Sequence, residues 1–206
     1  QMIDDRAEPL IPYLLYWRIA IDRYIAIHEG EPPYYFNERA SLSTFAAGAW
    51  LSGATALEEY GTEKGRGSNK GNGRCDLYIS DEERSAEFEA KQKEMSAATS
   101  TSNLASHIRS SVRSASTEAK RNNCADATFG CVFFVPRFSK TRFRNYNSNP
   151  ERIIKAEIDK YMKVGRTVHL WAWCFPEETR TTLGGRAMNS YYPGVILAFR
   201  GEKYWT

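Results

Sequence analysis

The chain has 206 residues, 42% of them hydrophobic and 26% charged, and carries a formal net charge of +3. That length and mix suit one globular domain with a sizeable core, and the mild charge by itself selects no partner. Cys75, Cys124, Cys131 and Cys174 are widely spaced with no CxxC pair, which argues against a zinc site or a disulfide framework.

Asp4, Asp5, Arg6 and Glu8 precede the first apolar run, so no signal peptide is read there. The run itself, Leu10 to Ile27, is interrupted by Arg18, Asp22 and Arg23 and is not a membrane span. A reduced, cytoplasmic protein without a membrane anchor is expected. Residues 10–28 read as a helix rich in large side chains, stopped by Gly30 and Pro32-Pro33. So broad an apolar surface either packs in the core, the commoner case, or covers a partner such as a second copy of the chain.

After a loop over 31–37, a serine-capped, alanine-rich helix is expected from Ser41 or Ser43 to Tyr60, with Gly48 and Gly53 permitting close approach to a sheet. The polar stretch Thr62–Asn72, with Lys64, Arg66 and Lys70 among glycines, matches no Walker or dinucleotide spacing and reads as a loop. It is either a plain connector or a loop whose basic residues touch phosphate. Two short strands follow within Gly73–Gln92, joined by a polar turn at Ser80–Arg84. A Ser/Thr/Ala-rich helix is expected within Ser96–Asn122, then a buried strand Thr128–Val135 stopped by Pro136. Pro150 opens a further helix to Lys163, and strands are expected at Thr167–Phe175 and Val195–Arg200. Strands alternating with helices in the second half predict parallel pairing, so the fold class is α/β, a mixed central β-sheet flanked by helices.

The hairpin carries charges where strands normally place apolar residues. In its second strand Glu89 and Lys91 are two apart and share a face, while Phe88 and Ala90 face the other way. Asp76 lies on the first strand, which can pair antiparallel with the second. Asp76 and Glu89 supply hard oxygen ligands for Mg²⁺, with Mn²⁺ as a substitute, and the Ala90 carbonyl is a further ligand candidate. Lys91 is placed to orient or deprotonate an attacking water, or to neutralise developing charge. Such a set suits phosphodiester cleavage. The competing structural reading is a surface hairpin with solvated charges.

Asp76, then Glu89-x-Lys91 on the next strand, then a basic helix and a buried strand, resembles the PD-(D/E)xK nuclease superfamily. The resemblance implies an α-β-β-β-α-β core over about 41–135, with an extra N-terminal helix at 10–28 and a C-terminal helix and strands over 150–206. It implies Asp76 and Glu89 as metal ligands and Lys91 as the catalytic lysine. It also implies an acid from the helix before the sheet, which Glu58 matches in preference to Glu59. The chain departs from the family pattern in having Cys75 before the aspartate and in showing no clear first strand between Tyr60 and Gly73.

The expected function is therefore a divalent-metal-dependent deoxyribonuclease, an endonuclease of restriction, defence or recombination type. Between Asn103 and Arg144 eight basic residues stand against Glu118 and Asp126 alone. Arg109, Arg113, Lys120, Arg121, Arg137, Lys140, Arg142 and Arg144 are the expected phosphate contacts, with Phe138, Phe143 or Tyr146 stacking on bases. The alternative is a non-cleaving nucleic-acid-binding or partner-docking subunit that keeps the fold.

Overall fold

The computed structural model describes residues 4–65, 70–139, 141, 149–165, 167–181 and 190–205. After a 3-10 turn at Asp5–Leu10, helix α1 spans Ile11–Ile27 and buries Tyr13, Leu14, Trp17, Ile21 and Ile25. It leaves Leu15, Ile19 and Ile27 exposed. Helix α2 spans Glu38–Leu51, with Asn37 accepting a hydrogen bond from the Ala40 N–H at 2.9 Å. Gly48 lets α1 and α2 touch backbone to backbone, because a Cβ there would lie 2.6 Å from the Trp17 nitrogen.

The helix expected to reach Tyr60 ends nine residues short of it, at Leu51. Gly53, at a φ of 95°, turns the chain out of the helix, and residues Thr55–Lys64 form strand β1. Ala56, Leu57, Glu58 and Glu59 are good helix formers, but pairing with the next strand overrides that preference. Strand β1 is the first strand that the sequence did not show.

Strands β2 (Gly71–Ser80) and β3 (Ser85–Ser96) complete an antiparallel meander, with Thr55↔Ser80 and Leu77↔Phe88 in register. Helix α3 (Thr101–Ala119) then crosses to strand β4 (Ala127–Ser139), which pairs parallel with β3. Pro136 does not stop β4. It pairs with Met95 of β3, and on the other edge of β4 it falls in the break between Phe134↔Ile196 and Phe138↔Tyr191.

Helix α4 (Pro150–Val164) is capped by Asn149 and Gly165, and is followed by strand β5 (Leu170–Cys174) and the single turn α5 (Glu178–Thr181). Strands β6 (Ser190–Tyr191) and β7 (Val195–Lys203) close the chain. The described residues form a seven-stranded mixed sheet in the order β1-β2-β3-β4-β7-β5, with β6 added to β4. The parallel expectation for the second half holds only for β3 and β4, since β7 runs antiparallel to both β4 and β5.

Each face of the sheet buries its own cluster. Trp17, Phe45, Phe88, Phe129, Phe133 and Phe199 lie in the cluster with α1 and α2. Ile108, Val112, Phe134, Tyr161, Trp171 and Ile196 lie in the cluster with α3 and α4. Cys75, Cys131 and Cys174 are buried free thiols, and Cys124 is an exposed one. No described helix is long and apolar enough to cross a membrane.

Candidate active site

The β2–β3 ladder makes its last pair at Leu77↔Phe88. Beyond it the main-chain donors on that edge of β3 need other acceptors. Two carboxylates supply them. Asp76 Oδ2 accepts from the Ala90 N–H at 2.7 Å, and Glu38 Oε2, from the first turn of α2, accepts from the Gln92 N–H at 2.9 Å. The N–H and C=O of one residue leave a strand on the same edge, so the Ala90 carbonyl opens towards the same gap. The Gln92 side chain fastens α2 to β3, accepting from Ser41 Oγ at 2.6 Å and donating to the Tyr34 carbonyl at 3.1 Å.

Glu89 is 2% exposed, and its Oε1 accepts from Lys64 Nζ at 2.6 Å and Asn122 Nδ2 at 3.0 Å. Burial pushes its pKa up and the Asp76 charge adds to this, against the pull of Lys64 and Asn122. Lys91 donates to Glu118 Oε2 on α3 at 2.8 Å. Burial disfavours the Lys91 charge, but the Glu118 hydrogen bond and the charges of Glu118, Glu38 and Asp76 outweigh it, and the ammonium is held. Burial also raises the pKa of Glu38, opposed by the Gln92 N–H and Lys91 and reinforced by Asp76 and Glu118.

Asp76, Glu89, Lys91 and the Ala90 main chain are thus brought together, and Glu38 and Glu118, which sequence reasoning missed, join them. Lys64 joins them too, read from the sequence as a basic loop residue and found instead at the end of β1 on Glu89. Glu58 stands in a different place from the one expected. It lies on β1, not on a helix, and its exposed carboxylate accepts from Ser43 Oγ at 2.9 and 3.0 Å. The acid that the helix before the sheet brings towards Asp76 and Lys91 is Glu38. Glu59 has a left-handed φ of 53° and is gripped by Arg39 at 2.8 Å and Arg74 at 3.2 Å.

Four carboxylates (Glu38, Asp76, Glu89, Glu118) face two ammonium groups (Lys64, Lys91), and the oxygens are hard donors. That imbalance and that chemistry fit a divalent cation held by Asp76, Glu89 and the Ala90 carbonyl. Among the described residues no group of three or more His, Cys, Asp or Glu side chains forms a metal cage, and this set draws one ligand from the main chain.

The basic residues expected to follow a polyanion do not all converge here. Lys120 pairs with Glu202 at 3.1 Å and Arg137 pairs with Glu94, while Arg109, Arg113 and Arg121 are exposed. At 3.6 residues per turn, Arg109, Arg113 and Lys120 lie roughly 140–180° round α3 from Glu118, on the flank turned away from the gap. Phe138 is 1% exposed and cannot stack on a base, because β4 continues through it into the core. Lys140, Arg142, Phe143, Arg144 and Tyr146 lie outside the described residues. Compared with protein-family models, curated proteins and solved structures, the chain has no significant match in any of the three.

Proposed function

We propose that this chain is a divalent-metal-dependent nuclease that hydrolyses DNA phosphodiester bonds, as an endonuclease of restriction, defence or recombination type. The observation that carries the reading is the parting of β2 and β3, round which Asp76, the Ala90 main chain, Glu89 and Lys91 meet. The succession α2-β1-β2-β3-α3-β4 supports it, being the α-β-β-β-α-β order that the PD-(D/E)xK resemblance implies.

In this reading Asp76, Glu89 and the Ala90 carbonyl hold Mg²⁺ or Mn²⁺. Bound there, the ion would neutralise phosphoryl oxygens and acidify a ligated water. The chain's own residues divide the remaining work. The Lys91 ammonium orients the attacking water and offsets charge gathering on the phosphate, and Glu118 fixes where that ammonium sits. Glu38 holds the main chain of β3 at Gln92, and so the course of the strand that presents Glu89 and Lys91.

Supercoiled plasmid, linear duplex and single strands, each with Mg²⁺, Mn²⁺ or EDTA, test the reading. Metal-dependent nicking or linearisation is expected, lost in Asp76→Ala and Lys91→Ala while both variants keep the wild-type circular dichroism spectrum. Undiminished cleavage by both variants would sink it. Duplex binding without cleavage in either metal would point to the non-cleaving alternative.

A further inference from the structure

Lys64 stands at the end of β1, two strands from Glu89, yet its Nζ lies 2.6 Å from Glu89 Oε1. Gly73 on β2 makes that reach possible. It pairs with Thr62, and a Cβ there would lie 2.8 Å from both Cγ and Cδ of Lys64, so the lysine stem runs through space that any other residue would fill. The end of β1 is docked in this arrangement: Lys64 bridges to Asn122, and the Gly65 N–H donates to the Arg121 carbonyl at 2.9 Å. Asn122 donates to the same Glu89 oxygen, while its own Oδ1 is buried with no hydrogen-bond partner. That oxygen is an acceptor left unused, of the kind a hydrated cation's waters satisfy.

We propose that Lys64 is a displaceable counter-ion: it holds the cation's place against Glu89 in the unloaded protein and gives it up when a divalent ion binds. The inference rests on the metal-dependent reading of the site. The Lys64 ammonium is bonded to Glu89 and not to Asp76, whereas a divalent ion between the two carboxylates would relieve their mutual repulsion. A divalent ion that takes both Glu89 oxygens, or Oε1 itself, competes for the oxygen that Lys64 holds. Ion and ammonium also repel each other beside one carboxylate, so loading the site works against the lysine. Lys91 stays in place throughout, because its partner is Glu118, which this reading does not use as a ligand. Lys64 is therefore a positioning residue for the metal site, setting how readily it loads.

The test is Mn²⁺ titration by calorimetry, together with thermal melts with and without Mn²⁺, on wild type, Lys64→Met, Gly73→Ala and Asp76→Asn. Lys64→Met keeps most of the stem and removes the charge. It should bind Mn²⁺ about tenfold more tightly than wild type, melt lower in EDTA, and gain more from added Mn²⁺. Gly73→Ala keeps the lysine but crowds its stem off Glu89, and should move affinity the same way even where Lys64→Met folds poorly. Asp76→Asn should lose the Mn²⁺ response. Unchanged or weaker Mn²⁺ binding in both Lys64→Met and Gly73→Ala would overturn the counter-ion while leaving wild-type metal binding, and the nuclease reading, standing. A Mn²⁺ response in Lys64→Met with none in wild type would support the counter-ion and count against the wild-type chain as a metal-dependent nuclease. No Mn²⁺ binding by any of the four proteins would overturn both.

Discussion

Glu87 and Glu89 stand two residues apart on β3 and are almost equally buried, at 0% and 2% exposed. They are held in different ways. Glu87 accepts from Thr62 Oγ1 at 2.9 Å and from the main-chain N–H groups of Cys124 and Ala125 at 3.0 and 3.2 Å. Those donors belong to short or immobile groups, so the carboxylate is a strut joining β1, β3 and the connection from α3 to β4. Glu89 is held by the ends of two longer side chains, Lys64 and Asn122, on a single oxygen. A buried charge met by backbone dipoles is fixed, whereas one met by a flexible cation can exchange that cation for another. Proximity and burial alone would have assigned both acids the same role.

Substituting the two acids in parallel is the most forceful way to break this contrast. Glu87→Ala takes the acceptor from the Cys124 and Ala125 N–H groups, the second of them buried, and leaves the Thr62 hydroxyl only Cys124 Sγ. It should cost about 2–3 kcal/mol, measured by urea unfolding. Glu89→Gln should cost about 1 kcal/mol, since the amide oxygen still accepts. Under the proposed function it should lose cleavage by about a hundredfold or more in the plasmid assay, with Mn²⁺ binding lost as well. Equal stability losses in the two variants would remove the distinction between strut and exchangeable ligand.

Glu38 lies between these cases, a side-chain acid that serves a main-chain donor. Glu38→Ala should lower stability by about 1–2 kcal/mol by leaving the Gln92 N–H unpaired, and Glu38→Gln should recover most of it. Cleavage separates the two roles. Recovery in Glu38→Gln would make the residue a strut like Glu87, and continued loss would mean that its charge acts on Lys91 and the site.

What was legible in the sequence follows the range of each interaction. The alternation that sets Glu89 and Lys91 on one face is a property of three consecutive residues, and the capping of α4 by Asn149, Pro150 and Gly165 is equally local. Strand β1 was hidden because Ala56 to Glu59 favour a helix in isolation, and only the β2 ladder decides otherwise. Glu38, the pairing of Lys64 with Glu89, and Glu118 were hidden for a related reason. Each arrives at β3 from an element some 25 to 55 residues away, with separations of 54, 25 and 27 residues to Gln92, Glu89 and Lys91. Phe138 was misplaced because Pro136 reads as a stop, although β4 continues past it, paired with β3 at Met95 and unpaired only on its other edge.

The smallest expected effect concerns phosphate contacts, where the same contrast between engaged and free charge applies at the surface. Arg39 is next to Glu38 and Arg74 is two residues before Asp76, and both are well exposed while sharing Glu59. A phosphate beside the gap could take both guanidinium groups from that single carboxylate. Arg109 and Arg113 carry equal charge but sit on the far flank of α3, where only a long-range field reaches the site. Duplex binding across a salt series should therefore show Arg39→Ala/Arg74→Ala lowering the log–log slope by about one to two units, with Arg109→Ala/Arg113→Ala changing it by less than about one. The reverse order would mean that the nucleic acid lies along the outer flank of α3, and that the basic stretch guides the duplex from there.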